Sequence, residues 1–124
     1  MVQNFEELHV WQKAHKLALM IYKTTKNFPD EEKFGITNQL RRAVISIGNN
    51  IAEGFGRRTT KDFINFLHNS FGSLFEVRSM IRISKDLNYL DEKQFNDSIN
   101  LTNDIHKMLN KFISSLKKAN TPII

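Results

Sequence analysis

Apolar residues recur along this chain at the three- and four-residue steps of an α-helix, in four stretches separated by short breaks. From about Leu8 to Asn27, Val10, Trp11, Ala14, Leu17, Ala18, Ile21, Tyr22 and Thr25 share one broad face, while Lys13, His15, Lys16, Lys23 and Lys26 lie mostly off it. Phe28-Pro29-Asp30 ends this stretch, because a residue before proline is pushed out of the α region. From about Ile36 to Glu53, the stripe is Ile36, Leu40, Ala43, Val44, Ile47 and Ile51. Opposite it runs a polar row of Arg42, Ser46, Asn49 and Glu53. Gly54-Phe55-Gly56 is expected to stop this helix, with Gly54 and Gly56 as turn residues.

The third stretch, from about Thr60 to Asn88, carries two apolar sets. Phe63, Leu67, Ser70, Leu74, Val77, Ile81 and Ser84 form one; Ile64, Phe66, Phe71, Phe75, Met80 and Ile83 lie beside it. Thr59 or Thr60 can cap its start, and Asp62 adds negative charge to the first turn. This helix is apolar around more than half its circumference, which exceeds what one bundle core needs and predicts self-association. The fourth stretch, from about Asp91 to Lys118, has Phe95, Ile99, Thr102, Ile105, Leu109, Phe112 and Leu116 in heptad-like register, and Asp91 with Gln94 resembles a capping box. The end after Lys118 reads as a frayed tail whose Ile123-Ile124 could dock.

Long amphipathic helices joined by short turns predict an all-α, antiparallel up-down four-helix bundle, one domain over residues 1–124. Composition agrees, since 2 Pro and 5 Gly suit long helices. Without cysteine no disulfide framework can form. The first residues show no basic segment followed by an apolar run, and no stretch is apolar enough to span a bilayer, so a soluble cytoplasmic protein without a membrane partner is expected.

Candidate chemistry is sparse. His9, His15, His68 and His106 form no His-x-x-x-His pair, and Glu53 and Glu76 lack a histidine three residues on, so no bundle metal site is expected. No nucleophile elbow, Walker loop or dinucleotide fingerprint is present. No arginine is followed at short spacing by a histidine, the pairing that small helical ribonucleases carry. The expectation is a protein that binds rather than catalyses, with no cofactor.

What remains is charge. The formal net charge is +5, and all arginines fall between Arg41 and Arg82. The candidate nucleic-acid-binding set is Arg41, Arg42, Asn49, Arg57, Arg58 and Lys61. Arg42 has an alternative, pairing with a carboxylate such as Glu53 or Glu76 within or between subunits. Phe55 can stack a base or fill a hydrophobic groove.

Two blocks have a familiar form. Leu8-x-x-Trp11-Gln12-x-Ala14 with Tyr22-x-x-Thr25-x-x-Phe28-Pro29 forms one. Phe34-Gly35-Ile36-Thr37-Asn38-Gln39-Leu40-Arg41-Arg42-Ala43 with Ser46-Ile47-x-x-Asn50-Ile51-Ala52-Glu53-Gly54-Phe55-Gly56-Arg57 forms the other, and Phe63-x-x-Phe66-Leu67, Gly72-Ser73 and Glu76 continue it. Together they resemble the 23S rRNA intervening-sequence proteins. That resemblance implies an antiparallel four-helix bundle assembled as a ring-like homopentamer. It also implies kinship with accessory subunits of reverse transcriptases in diversity-generating retroelements, where a basic surface binds nucleic acid and the polymerase. The family pattern lands on Arg41, Arg42, Asn50, Glu53, Gly54, Gly56, Arg57 and Glu76. Asn50, Glu53 and Glu76 are expected to be structural or inter-subunit polar residues. After Ile47 the family often has proline; Gly48 stands here and predicts a less kinked helix.

Two functions follow as expectations. One is an oligomeric nucleic-acid-binding protein, favouring RNA over DNA. The other is a protein-interaction scaffold or accessory subunit, for example of a reverse transcriptase, whose arginines bridge subunits.

Overall fold

In a computed structural model that describes residues 2–119, four helices form the chain: α1 (His9–Thr25), α2 (Ile36–Phe55), α3 (Thr60–Asp86) and α4 (Glu92–Ala119). Two single-turn 3-10 helices, Phe5–Glu7 and Asp30–Glu32, precede α1 and α2. No strand occurs among the described residues. Ile123 and Ile124, suggested by the sequence as a docking tail, lie outside them.

Each helix packs on two others, in the cyclic order α1, α2, α3, α4 and back to α1. Contacts between residues far apart in the chain fix the directions. Trp11 and Ala14 meet Gly48, while Thr25 meets Arg41, so α1 and α2 run antiparallel. Ser70 donates to the Ile47 carbonyl at 2.9 Å and Phe63 packs on Gly54, which sets α3 against α2. Lys85 pairs with Glu92 and Phe63 meets Phe112, which reverses α4 on α3. Lys13 faces Asp104, closing the ring. The up-down four-helix arrangement expected from the short turns is therefore the observed one.

On α1, α2 and α3 the core follows the predicted stripes; on α4 it is shifted, with Leu101 and Ile113, outside the predicted stripe, buried beside Thr102, Ile105 and Leu109, and Phe95, Ile99, Phe112 and Leu116 half-buried. Leu17, Ile21, Leu40, Ile47, Leu67, Leu74, Ile81, Ile105 and Leu109 are fully buried. Each such side chain contributes about 1.5–3 kcal/mol relative to exposure. Of the second apolar set on α3, Ile64, Phe66 and Phe71 are half-buried and Met80 is buried, so helices of the same chain cover much of that face. Phe75 and Ile83 from that set, and Leu87 just past the helix, stay near half exposed.

Helix ends follow local chemistry. Thr59 caps α3 by accepting from the Asp62 amide at 3.1 Å. Asp91 and Gln94 form the reciprocal capping box of α4, each side chain accepting from the other's amide, at 2.7 and 3.0 Å. α3 ends with Asn88 in the left-handed region at φ 64°, and the Tyr89 amide reaches back to the Ser84 carbonyl at 2.8 Å.

The expected stop at Gly54-Phe55-Gly56 holds at Gly56 and is corrected at Gly54. α2 runs through Gly54 and Phe55, and Gly56, just past the end, keeps a right-handed φ of −82°. No glycine has positive φ among the described residues. Gly54 is required by packing instead: a Cβ there would lie 2.8 Å from Phe63 Cδ1 and 2.8 Å from Phe66 Cβ. Gly48 sits inside an uninterrupted α2 with the Trp11 ring against it.

Buried hydroxyls are partnered locally. Thr25, Ser84 and Thr102 donate to carbonyls within their own helices, and Ser70 crosses to α2. Thr37 is the exception: it is 8% exposed, and its hydroxyl has no hydrogen-bond partner among the described residues.

Candidate nucleic-acid interface

The register of α2 distributes the arginines over different surfaces. Consecutive residues on a helix point about 100° apart, so Arg41 and Arg42 diverge. Arg41 turns into the α1–α2 seam. Its Nε donates to Thr25 Oγ1 at 2.8 Å, its Nη2 to the Tyr22 carbonyl at 3.3 Å, and its guanidinium lies 4.7 Å from the Tyr22 ring centroid. The sequence grouped Arg41 with the outward arginines; the structure separates it from them.

Arg42 faces out with Asn49 and Glu53, and Ser46 sits half-buried beside them. Across the α2–α3 seam stands Glu76. Gln39, Arg42, Ala43, Ser46, Ser73 and Glu76 line an open recess of about 330 Å³. Its polar base is tied together: Ser73 Oγ donates to Ser46 Oγ at 2.8 Å, and Asn50 Nδ2 donates to the same Ser46 hydroxyl at 3.0 Å and to the Ser46 carbonyl at 2.9 Å. Asn50 is thus a structural polar residue within the chain. The intrachain ion pair considered for Arg42 does not form, with Glu53 or with Glu76.

The α2–α3 corner gathers three exposed cations within five residues. Arg57, Arg58 and Lys61 are all exposed around the Thr59 cap. The Arg57 guanidinium lies 4.5 Å from the Phe66 ring centroid, which holds it against the bundle while its edges stay open to solvent. Phe55 is half-buried with its ring edge-on to Phe63, centroids 6.1 Å apart, so it fills the corner instead of standing free. Among the described residues no arginine makes an ion pair.

Histidine ring contacts lie within α1 and across the α3–α4 seam. His15 stacks on Trp11 at 4.9 Å, and His106 meets Phe71 and Phe75 edge-on at 5.4 and 5.7 Å. Among the described residues no three His, Asp or Glu side chains gather as a metal-binding group, and no helix is long and apolar enough to cross a membrane.

The family model of the 23S rRNA-intervening sequence proteins matches residues 6–111, most of the chain. The chain belongs to that family. Among solved structures this intervening-sequence protein is similar to a protein of unknown function from the S23 ribosomal protein family of Bacteroides thetaiotaomicron. The TM-score is 0.78 at 24% identity, covering 85% of this chain and 95% of the other. That likeness speaks for the fold. Functionally curated proteins gave no significant match.

The family motif therefore serves several ends in this member. Arg41 and Gly54 join neighbouring helices and Asn50 bonds to Ser46 within α2, whereas Arg42, Glu53, Arg57 and Glu76 face solvent. The sequence missed Gln39 and Ser73 as recess residues. Gln39 was findable, one turn before Arg42 on the same row; Ser73 was not, because only the α2–α3 register brings it there.

Proposed function

We propose that this intervening-sequence protein is a non-catalytic, cytoplasmic, oligomeric nucleic-acid-binding protein that engages phosphates through the α2–α3 corner. The observation that carries the reading is the cluster of Arg57, Arg58 and Lys61, exposed together with no ion-pair partner among the described residues. Unpaired cations on a rigid corner bind phosphate by releasing its counterions, without needing a base-specific pocket. The family's name, which points to sequences inside an rRNA, favours RNA over DNA. Exposed Phe34, Phe75, Ile83 and Leu87 favour self-association. A closed ring, with five copies as the expected number, would repeat the corner around one axis, and several weak contacts would act together.

The test is retention of structured RNA and duplex DNA across a salt series, with assembly mass measured in parallel. Affinity should fall steeply as salt rises. Arg57→Glu with Arg58→Glu should abolish binding while mass is unchanged. Tight binding indifferent to salt, or no binding at low salt, refutes the proposal.

A second reading rests on the α2–α3 recess. Arg42, Glu53 and Glu76 are exposed on one surface and unpaired within the chain. As inter-subunit salt bridges they would make the protein a scaffold or accessory subunit, for instance of a reverse transcriptase. In that case Arg42→Ala or Glu53→Ala lowers the mass seen by light scattering; unchanged mass eliminates it.

A further inference from the structure

The outward side of the α3–α4 seam gathers aromatic rings into one cluster. His68 lies 6.4 Å from Phe71, Phe71 is stacked on Phe75 at 6.2 Å, and His106 stands edge-on to both phenylalanines from α4. Phe71 is half-buried, but Phe75 is 51% exposed. A single exposed phenylalanine needs no explanation; one continuous with three other rings makes a patch. Gly72, one turn before Phe75, has nothing within 4 Å of where a Cβ would stand, so that flank of α3 is open.

Charge at this seam is one-sided. Arg78 and Arg82 follow Phe75 at three and seven residues, which the helical rise places about 4.5 and 10.5 Å along the axis on the same side of α3. Neither makes a hydrogen bond or an ion pair among the described residues, although Arg78 is half-buried. The Arg82 guanidinium lies 4.7 Å from the Phe95 ring centroid, so α4 holds it in place. The carboxylates of the two helices are engaged elsewhere. Glu76 lines the α2–α3 recess, Asp97 and Asp104 line a recess between α1 and α4, and Glu92 takes Lys85. Asp86, one turn past Arg82, does not pair with it.

Unpaired guanidinium groups beside an open ring match a nucleotide, whose base offers a flat face and whose phosphates offer charge. A purely apolar partner would strand both arginines, and an acidic peptide would leave the ring without a flat partner. Phe75 also counts among the exposed apolar residues that favour self-association, but Ile83 is turned about 80° from it around α3. The aromatic cluster lies on the Phe75 side.

We infer that the α3–α4 seam binds unpaired nucleotides of an RNA, with Phe75 stacking on a base and Arg78 and Arg82 meeting successive phosphates. The inference rests on the nucleic-acid reading above and adds the strand state of the RNA. It uses none of the residues of the Arg57 corner.

The probes are a dye-labelled, unstructured RNA of about twelve nucleotides, inside the usual site sizes for single strands, and a blunt RNA duplex of the same length. Binding to the full chain is followed by fluorescence anisotropy, and assembly mass is measured for each variant. Phe75→Leu keeps an apolar side chain and removes the aromatic face. It should weaken the single strand at least about fivefold and leave the duplex within about twofold, and Phe75→Tyr should restore single-strand binding. Arg78→Gln with Arg82→Gln should flatten the slope of log affinity against log salt by about 1.4 for the single strand. Single-strand binding indifferent to Phe75→Leu overturns the inference. A Phe75→Leu protein of lower mass does so too, by assigning the ring to a subunit contact. Duplex binding that needs Arg57 and Arg58, with no single-strand binding at low salt, overturns the seam and leaves the corner standing. Single-strand binding that depends on Phe75, with no duplex binding, overturns the corner and leaves the seam.

Discussion

Replacing Gly54 by alanine adds one methyl group at the tightest point of the α2–α3 hairpin. The new Cβ would meet Phe63 Cδ1 and Phe66 Cβ at 2.8 Å. Carbon atoms rest about 3.5–4.0 Å apart, so each contact is short by roughly 0.7 Å or more. Phe63 could rotate its ring, but Phe66 Cβ is anchored to the α3 backbone and retreats only if the helices part. Overpacking of this kind costs about 1–3 kcal/mol. Alanine returns about 0.8–1.0 kcal/mol through its better helix propensity. The net expectation is a loss of up to about 2 kcal/mol. Gly56→Ala is the control two residues away. Its Cβ would approach only the Glu53 carbonyl, at 3.6 Å, and φ is already right-handed. It should be neutral or add up to about 1 kcal/mol by restricting the unfolded chain. Urea unfolding at one protein concentration measures both, read as a change in midpoint with slope unchanged. A Gly54→Ala protein more stable than the wild type, or a Gly56→Ala protein harmed more than Gly54→Ala, refutes the packing argument.

Arg41 and Arg42 are neighbours in sequence with different expected costs. Arg41→Ala loses two hydrogen bonds and the Tyr22 contact and should destabilise by about 1–3 kcal/mol, whereas Arg42→Ala should stay within about 0.5 kcal/mol; thermal unfolding of the pair checks this. Asp91→Ala breaks the α4 capping box and should cost about 1 kcal/mol, seen as a lower Tm. The hydrogen bond to Glu32 holds the Tyr89 hydroxyl above its usual pKa, so its stabilisation is complete below about pH 10 and lost as pH rises through the raised value. Tyr89→Phe should therefore be less stable than wild type at neutral pH, with the gap closing in strong alkali. Lys93, raised by its bond to Asp97, titrates in both proteins and cancels. A gap that stays constant from pH 7 upward contradicts the Tyr89 assignment.

The amino-acid pattern alone determined the helices, because burying an apolar stripe requires the 3.6-residue period and leaves it legible. The caps at Thr59 and Asp91 were readable for the same local reason: a side chain bonds an amide three residues away. Short turns then left an antiparallel bundle as the natural packing.

Side-chain fates decided between helices were not legible. That Arg41 serves the α1–α2 seam depends on Thr25 and Tyr22, which lie 16 and 19 residues earlier and are brought near only by packing. Gly54 read as a helix stop because glycine serves turns and close approaches alike, and only the position of Phe66 on the facing helix distinguishes them. Glu76 and Ser73 joined the Arg42 recess through interhelical register, and the unpartnered Thr37 hydroxyl emerged only when its surroundings were in place. Local periodicity fixes which face of a helix turns inward, but the partner a polar group finds is set by neighbours distant in the chain, and that distance is closed by tertiary structure.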